Sequence, residues 1–173
     1  MSVFTPAIDT QAFAATSLAT TVLLVKFLMT VGIQGGHRFK AGSRPPEDAK
    51  LGLASKIGKG VVQNYGVGEA DKNDDPKVKK AKMDSLRWNR IVMNDLENIP
   101  FGLIAAWSSL LAPFSAKVHT VLVLGFAAAR VFHTIVYAKE LQPHRGAAWG
   151  AGWVFIFGLA ANGLLGALSL LAK

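Results

Sequence analysis

Apolar residues along the chain are gathered into four segments, and one long polar region separates the first segment from the second. The segments cover about residues 11–33, 91–111, 118–138 and 148–171. A helix needs ~20 predominantly apolar residues to cross a bilayer, and each segment has about that length. The pattern therefore predicts an all-α integral membrane protein, in which four transmembrane helices form a bundle and residues 1–173 are one domain.

The long polar region, residues 34–90, carries most of the positive charge. Thirteen of the 19 Lys and Arg residues lie between positions 35 and 90, and the net charge of the chain is +8. A basic patch is also typical of nucleic-acid binding, but basic loops between apolar spans follow the positive-inside rule. We therefore expect this loop and the loop after the third span to be cytosolic, with no nucleic-acid partner. Residues 51–62 predict a short amphipathic helix at the membrane surface.

The composition supports a membrane protein and limits its chemistry. Hydrophobic residues make up 51% of the chain, charged residues 17%, and the mean hydropathy is +0.32. No cysteine is present, so any thiol chemistry must use a thiol of the substrate. No basic residue precedes the first apolar segment, which favours a retained span over a secretory signal.

The start of the second span concentrates polar side chains. Arg90, Asn94 and Glu97 are spaced i, i+4 and i+7, so a helix presents all three on one face. Ionisable groups entering a membrane are costly and usually face the interior of a bundle or a watery cavity. A solvated helix cap is the alternative interpretation of the same residues.

The third span has a second polar face. Arg130, His133 and Tyr137 are spaced i, i+3 and i+7. Arg130 lies about two turns inside the span and needs a partner, and we expect Glu97, because it lies at a similar depth. Such a pair would also fix the register of two helices. Lys26 in the first span is interpreted either as a snorkelling side chain or as a polar contact in the bundle interior.

His133 and Tyr137 each have a simpler interpretation. A single histidine in a helix is more often packed and hydrogen-bonded than bound to a ligand, and a tyrosine at a membrane boundary is typical of an aromatic belt. No second histidine follows His133 at i+4, so we expect no metal site.

Several of these polar side chains converge on one end of the predicted bundle. Together they offer cations, a carboxylate and an amide, which suits a small ligand with two carboxylates and an ammonium, such as the tripeptide thiol glutathione. The residues at the cytosolic end are Arg38, Arg90, Asn94, Glu97, His133, Tyr137 and Arg145.

Four stretches of the chain carry a family resemblance. Asn-Asp-Leu-Glu-Asn-Ile occupies 94–99 and Pro-Glu-Asp-Ala occupies 46–49, while residues 129–137 hold the third-span motif and Lys26 precedes Arg38 by twelve positions. These motifs resemble the signature of the MAPEG family, membrane-associated proteins in eicosanoid and glutathione metabolism. The resemblance covers all four spans, and its second-span motif is more similar to the microsomal glutathione S-transferase branch than to the prostaglandin E synthase branch.

The resemblance implies a four-helix bundle that assembles as a homotrimer, with glutathione bound between neighbouring subunits near the cytosolic face. The expected location is the endoplasmic reticulum membrane, with the outer mitochondrial membrane as a second. The glutathione-site residues implied by motif position are Arg38, Arg90, Asn94, Glu97, Arg130, His133, Tyr137 and Arg145.

The chain also departs from the prostaglandin synthase pattern. Met93 stands where that enzyme has an arginine, Gly146 where it has a serine, and Trp149 where it has a tyrosine. These differences weaken the synthase interpretation and leave the transferase interpretation intact. The segment between Ala49 and Arg87 is longer than is usual in the family.

The expected chemistry is activation of the glutathione thiol. A free thiol has a pKa of ~8.5, and a neighbouring guanidinium lowers it by favouring the thiolate. We assign Arg145 to this role, with Tyr137 as the second catalytic residue. The thiolate would attack a hydrophobic electrophile from the bilayer or reduce a lipid hydroperoxide. The alternatives are a glutathione-dependent isomerase of the prostaglandin E synthase type and a non-enzymatic scaffold or lipid-binding protein.

Overall fold

The computed structural model describes residues 8–66 and 75–172. Throughout these residues the secondary structure is helical, without a strand. The elements are α1 (Thr10–Lys40), a 3₁₀ helix (Pro46–Lys50), α2 (Gly52–Gly58), α3 (Pro76–Leu111), α4 (Ala116–Ala138) and α5 (His144–Leu171).

Three of the four predicted spans are confirmed as helices that are long and apolar enough to cross a membrane: α1, α4 and α5. Helix α3 is not among them. Its charged side chains continue as far as Glu97, so only residues 98–111 are free of charge, fewer than the ~20 that a span needs. The second span therefore stays a prediction.

The polar region, residues 34–90, contains the ends of two helices. Helix α1 continues to Lys40 and α3 begins at Pro76, so the segment between them is residues 41–75. The last turn of α1 contains basic side chains, which interact favourably with the carbonyl end of a helix. At the start of α3, Asp75 accepts the amide of Lys77 through its side chain, and proline is well suited to the first helical position.

The chain divides into two compact units, which are described separately. One consists of Met1–Lys26 with Asn94–Lys173, and the other of Phe27–Met93. In the first unit, glycines bring the helices close together. A Cβ at Gly102 would lie 2.1 Å from the Phe126 ring, and a Cβ at Gly125 would lie 2.5 Å from that of Phe155. Small residues permit this close packing of α4 against α3 and α5.

A buried hydrogen-bonded chain joins four helices of the first unit. His119 is fully buried, and its Nε2 lies 2.8 Å from Thr16 Oγ1 while its Nδ1 lies 3.1 Å from Ser109 Oγ. The Thr16 hydroxyl donates its proton to the Ala12 carbonyl, so toward His119 it accepts. The Ser109 hydroxyl accepts from Asn162, so toward His119 it donates. These roles assign a neutral His119 that donates through Nε2 and accepts at Nδ1. Every member is then satisfied, which fixes the register of the helices.

The second unit contains the end of α1, the connecting segment and the start of α3. Gln63 is 3% exposed, and its side chain donates to the carbonyls of Phe39 and Val61 and accepts the amide of Arg44. Beyond it, the amides of Asn64 and Gly66 donate to the Gly42 carbonyl. The segment after α2 is therefore folded back onto the end of α1. A helix is present over Gly52–Gly58, within the predicted residues 51–62. Its position at a membrane surface stays a prediction.

Candidate functional site

Helix α4 presents three polar residues at helical spacing to the interior of the first unit. Arg130 is 0% exposed and His133 is 1% exposed, whereas Tyr137, one turn later, is half-buried. The progression follows the helix from its middle to its end at Ala138. Because buried ionisable groups in a membrane protein are costly, the partners of these three residues determine what the site can do.

Arg130 is held by the start of the Asn-Asp-Leu-Glu motif on α3. Its Nη2 donates to Asn94 Oδ1 at 2.8 Å and to Asp95 Oδ1 at 2.7 Å. The other carboxylate oxygen of Asp95 accepts from Lys26 Nζ. The interpretation of Lys26 as a polar contact in the bundle interior is therefore confirmed.

The predicted pairing of Arg130 with Glu97 is wrong. Asp95 is the partner, and Glu97 is exposed. Each residue advances about 100° around an α-helix, so positions 95 and 97 lie about 200° apart around the axis. The buried face of α3 contains Asn98, Gly102 and Ala106. Asp95 is in register with these positions, and Glu97 is not.

Asp95 is the functional residue that sequence reasoning missed, although it lay within the motif. The signal was helical spacing: positions 95, 98, 102 and 106 recur at three- and four-residue intervals on one face, and two of them, Gly102 and Ala106, are small. We expected depth in the membrane to select the partner of Arg130, whereas the helical face selects it. Asp95 and Glu97 are two residues apart, and only the first faces Arg130.

The buried charges do not cancel. Lys26 and Arg130 are cations, and Asp95 is their shared carboxylate, so the cluster carries a net formal charge of +1. Arg130 Nε and Nη1 and His133 Nδ1 are buried without a hydrogen-bond partner in the described part of the chain. Buried polar groups are normally satisfied, so these atoms indicate that a polar or anionic group belongs beside them.

The second half of the site is a stack of three side chains. The ring of His133 contacts the ring of Tyr137 edge-on, with centroids 5.6 Å apart and an interplanar angle of 80°. On Tyr137, the guanidinium carbon of Arg145 lies 4.6 Å from the ring centroid. Arg145 comes from the first turn of α5, so two helices build the stack. The predicted proximity of His133, Tyr137 and Arg145 is present in the structure.

Arg145 is a cation without a carboxylate partner among the described residues. Its contact with Tyr137 is a cation–π interaction, which orients the guanidinium while leaving its N–H donors available. A half-buried guanidinium with free donors is suited to an anion such as a carboxylate or a thiolate.

The remaining predicted site residues have different surroundings. Asn94 is half-buried and occupied by Arg130, and Glu97 is exposed. In the second compact unit, Arg38 is half-buried and its Nη2 donates to the Ser43 carbonyl at 3.2 Å, while Arg90 is exposed. The structure thus brings Asn94 to Arg130 and Arg145 to Tyr137, and it leaves Arg90 and Glu97 at the surface.

Comparison with known protein families gives one match. The family model for the MAPEG family matches residues 12–165, which include all of the site residues predicted from the sequence. No individual curated protein matches the chain.

Proposed function

The chain belongs to the MAPEG family, and we propose that it is a membrane-bound glutathione transferase that joins glutathione to hydrophobic electrophiles. The observation that carries this proposal is the guanidinium of Arg145, which has no ion-pair partner among the described residues and lies over the ring of Tyr137. The ring of Tyr137 in turn contacts the buried His133. The family includes glutathione-dependent transferases, isomerases and peroxidases. Arg145 is an oriented cation, and the chain has no cysteine of its own. Together these two observations favour activation of a thiol that belongs to the substrate.

In the proposed reaction, Arg145 stabilises the glutathione thiolate. The thiol loses its proton to solvent, because a nearby guanidinium lowers its pKa from the ~8.5 of a free thiol. Each unit by which the pKa falls corresponds to ~1.4 kcal/mol of extra stabilisation of the thiolate. The apolar surroundings of the site strengthen this contact. The sulfur then attacks carbon of the electrophile, a C–S bond forms, and the leaving group departs with its electron pair.

Binding of glutathione is assigned to the other polar residues. By the charges of their side chains, Arg38 and Arg90 are assigned to the carboxylates and Glu97 to the ammonium. The exposure of Arg90 and Glu97 supports this assignment, since both side chains are available to a ligand or to a neighbouring subunit. The proposed assembly is a homotrimer in which each site is completed by the next copy of the chain.

The same thiolate supports a second reaction, reduction of lipid hydroperoxides. The sulfur attacks the terminal peroxide oxygen, the O–O bond breaks, and the lipid leaves as an alcohol after protonation. A second glutathione then displaces hydroxide from sulfur, which gives glutathione disulfide and water. Both reactions need an activated thiol and an apolar substrate from the bilayer.

Glutathione conjugation with chlorodinitrobenzene, a generic aromatic electrophile, tests the proposal in purified, detergent-solubilised protein. Arg145→Leu should reduce turnover strongly, whereas Lys139→Leu removes the same charge from an exposed nearby position and should preserve it. Glutathione binding is measured in parallel by calorimetry. Binding without conjugation or hydroperoxide reduction would reject the transferase in favour of an isomerase, and absence of binding would reject a glutathione enzyme altogether.

A further inference from the structure

A groove lined by three lysines lies in the second compact unit, in the segment for which the family resemblance gives no role. Its volume is about 290 Å³. Lys40, Lys59 and Lys77 line it, and its apolar wall consists of Ile57, Val61, Val78 and Ala81. No acidic side chain lines the groove, and none of the three lysines forms an ion pair within the described residues.

The groove is a built feature, because its elements are packed against one another. A Cβ at Gly58 would lie 3.2 Å from the Phe39 carbonyl oxygen, so the end of α2 lies directly against the end of α1. The buried side chain of Gln63 bonds to that same carbonyl. Lys59 adopts left-handed backbone angles, with φ 48° and ψ 43°, and closes α2. A lysine in this conformation is costly relative to glycine or asparagine, which indicates that its side chain has another role.

The groove also lies where a membrane surface is expected. Lys40 ends α1, a helix able to cross a bilayer, and Leu28, Met29 and Ile33 are exposed apolar residues earlier on the same helix. At 1.5 Å per residue, Lys40 lies about 10 Å beyond Ile33, which is just outside a headgroup layer of about 5–8 Å if the apolar core ends near Ile33. Close to the groove wall, Val62 is 77% exposed and therefore presents apolar surface in the same segment.

We propose that this groove binds the headgroup phosphate of an anionic phospholipid. The three ammonium groups complement the phosphate, and the apolar wall accepts the glycerol and first acyl carbons. The whole segment also has a net positive charge, since residues 40–86 contain ten basic and seven acidic side chains. The long segment after the first span is thereby assigned to lipid recognition, independently of the glutathione site.

Native mass spectrometry of the detergent-solubilised full chain tests this proposal. The probes are dioleoyl phosphatidylserine and dioleoyl phosphatidylcholine, which share their acyl chains and phosphate but differ in net charge. The groove variant is Lys40→Gln/Lys59→Asn/Lys77→Gln, in which asparagine suits the left-handed position at 59. The control is Lys50→Gln/Lys79→Gln/Lys80→Gln, which removes the same charge from exposed lysines that do not line the groove.

The wild-type chain and the control should retain phosphatidylserine in preference to phosphatidylcholine. Each basic residue near an anionic lipid surface contributes about a five-fold factor, so the groove variant should lose roughly 10- to 100-fold of the preference. Circular dichroism confirms that the variant keeps its helices. An equal loss in both triple variants would show diffuse attraction by the whole loop, and an undiminished preference in the groove variant would show that the anionic lipid binds elsewhere on the chain; either result overturns the proposal.

Discussion

Replacement of Asp95 by asparagine tests whether this carboxylate holds the centre of the first unit together. Asp95 is 0% exposed and contacts both Lys26 and Arg130. Asparagine has nearly the same shape and keeps an acceptor oxygen, but it removes the negative charge that both Arg130 and Lys26 contact. Breaking one buried pair typically costs ~3–5 kcal/mol, because the remaining charge stays desolvated. The shared carboxylate makes the two losses non-additive, so we expect a total of about that size.

The expected cost converts into a large change in melting temperature. For a chain of this length, 1 kcal/mol corresponds to ~2–4 °C, so Asp95→Asn should melt about 6–20 °C lower. The assay is thermal unfolding in detergent, followed by tryptophan fluorescence and by circular dichroism. Glu97→Gln provides a matched control, since it removes the same charge from an exposed position of the same helix. A surface substitution of this kind changes stability by less than ~0.5 kcal/mol.

A double variant distinguishes loss of charge balance from loss of shape. Adding Lys26→Met to Asp95→Asn removes one of the two cations that contact this carboxylate, so the double variant should melt above Asp95→Asn alone. The reasoning is refuted if Asp95→Asn melts with the wild type, or if Glu97→Gln is destabilised as much. A double variant that is merely the sum of its parts would show that the two residues are not coupled.

Three further results are expected. Arg145→Leu should require a higher pH than the wild type to form the glutathione thiolate, measured by ultraviolet absorbance on mixing. Arg145→Lys should restore part of the effect, because it keeps the charge without the planar fork. Unchanged thiolate formation in Arg145→Leu would exclude this residue as the activating group. His119→Leu should destabilise the protein by ~1–3 kcal/mol in thermal unfolding, because the buried hydroxyl of Ser109 loses its acceptor; an unchanged melting temperature would mean that the chain of hydrogen bonds is not formed. Trypsin added outside sealed microsomes should cut within residues 41–75, and protection of that segment would invert the predicted topology.

The sequence predicts the helices of this protein well where hydrophobicity is continuous. The third predicted span, residues 118–138, begins two residues after α4 and ends with it. The second predicted span ends where α3 ends, and the fourth ends where α5 ends. The start of α3 was missed by fifteen residues, because a helix that leaves the apolar region has no hydropathy signal at its beginning. The local sequence does mark the start of α3, because Asp75 caps the helix and proline is favoured at its first position.

Prediction of the site succeeded for residues that share one helix face or one end of the bundle. His133 and Tyr137 are neighbours because of their spacing, and the arrival of Arg145 follows from the short loop between α4 and α5. Depth in the membrane alone cannot identify the partner of Arg130, since Asp95 and Glu97 differ little in depth but face opposite sides of α3. Contacts of this kind depend on the rotation of each helix about its axis.

The same rotation explains why α3 lacks the composition of a simple membrane span. Asp95 on its buried face neutralises one of two interior cations, and Arg90 and Glu97 on other faces are exposed. A helix that must supply a counter-charge to its own bundle and polar groups to its surface cannot also be apolar over ~20 residues. These charges are tolerable where each face of the helix meets polar partners: the buried face has them in Lys26 and Arg130, and the exposed face meets water or, in the proposed function, glutathione. The departure of α3 from an apolar span is therefore compatible with the proposed binding of glutathione.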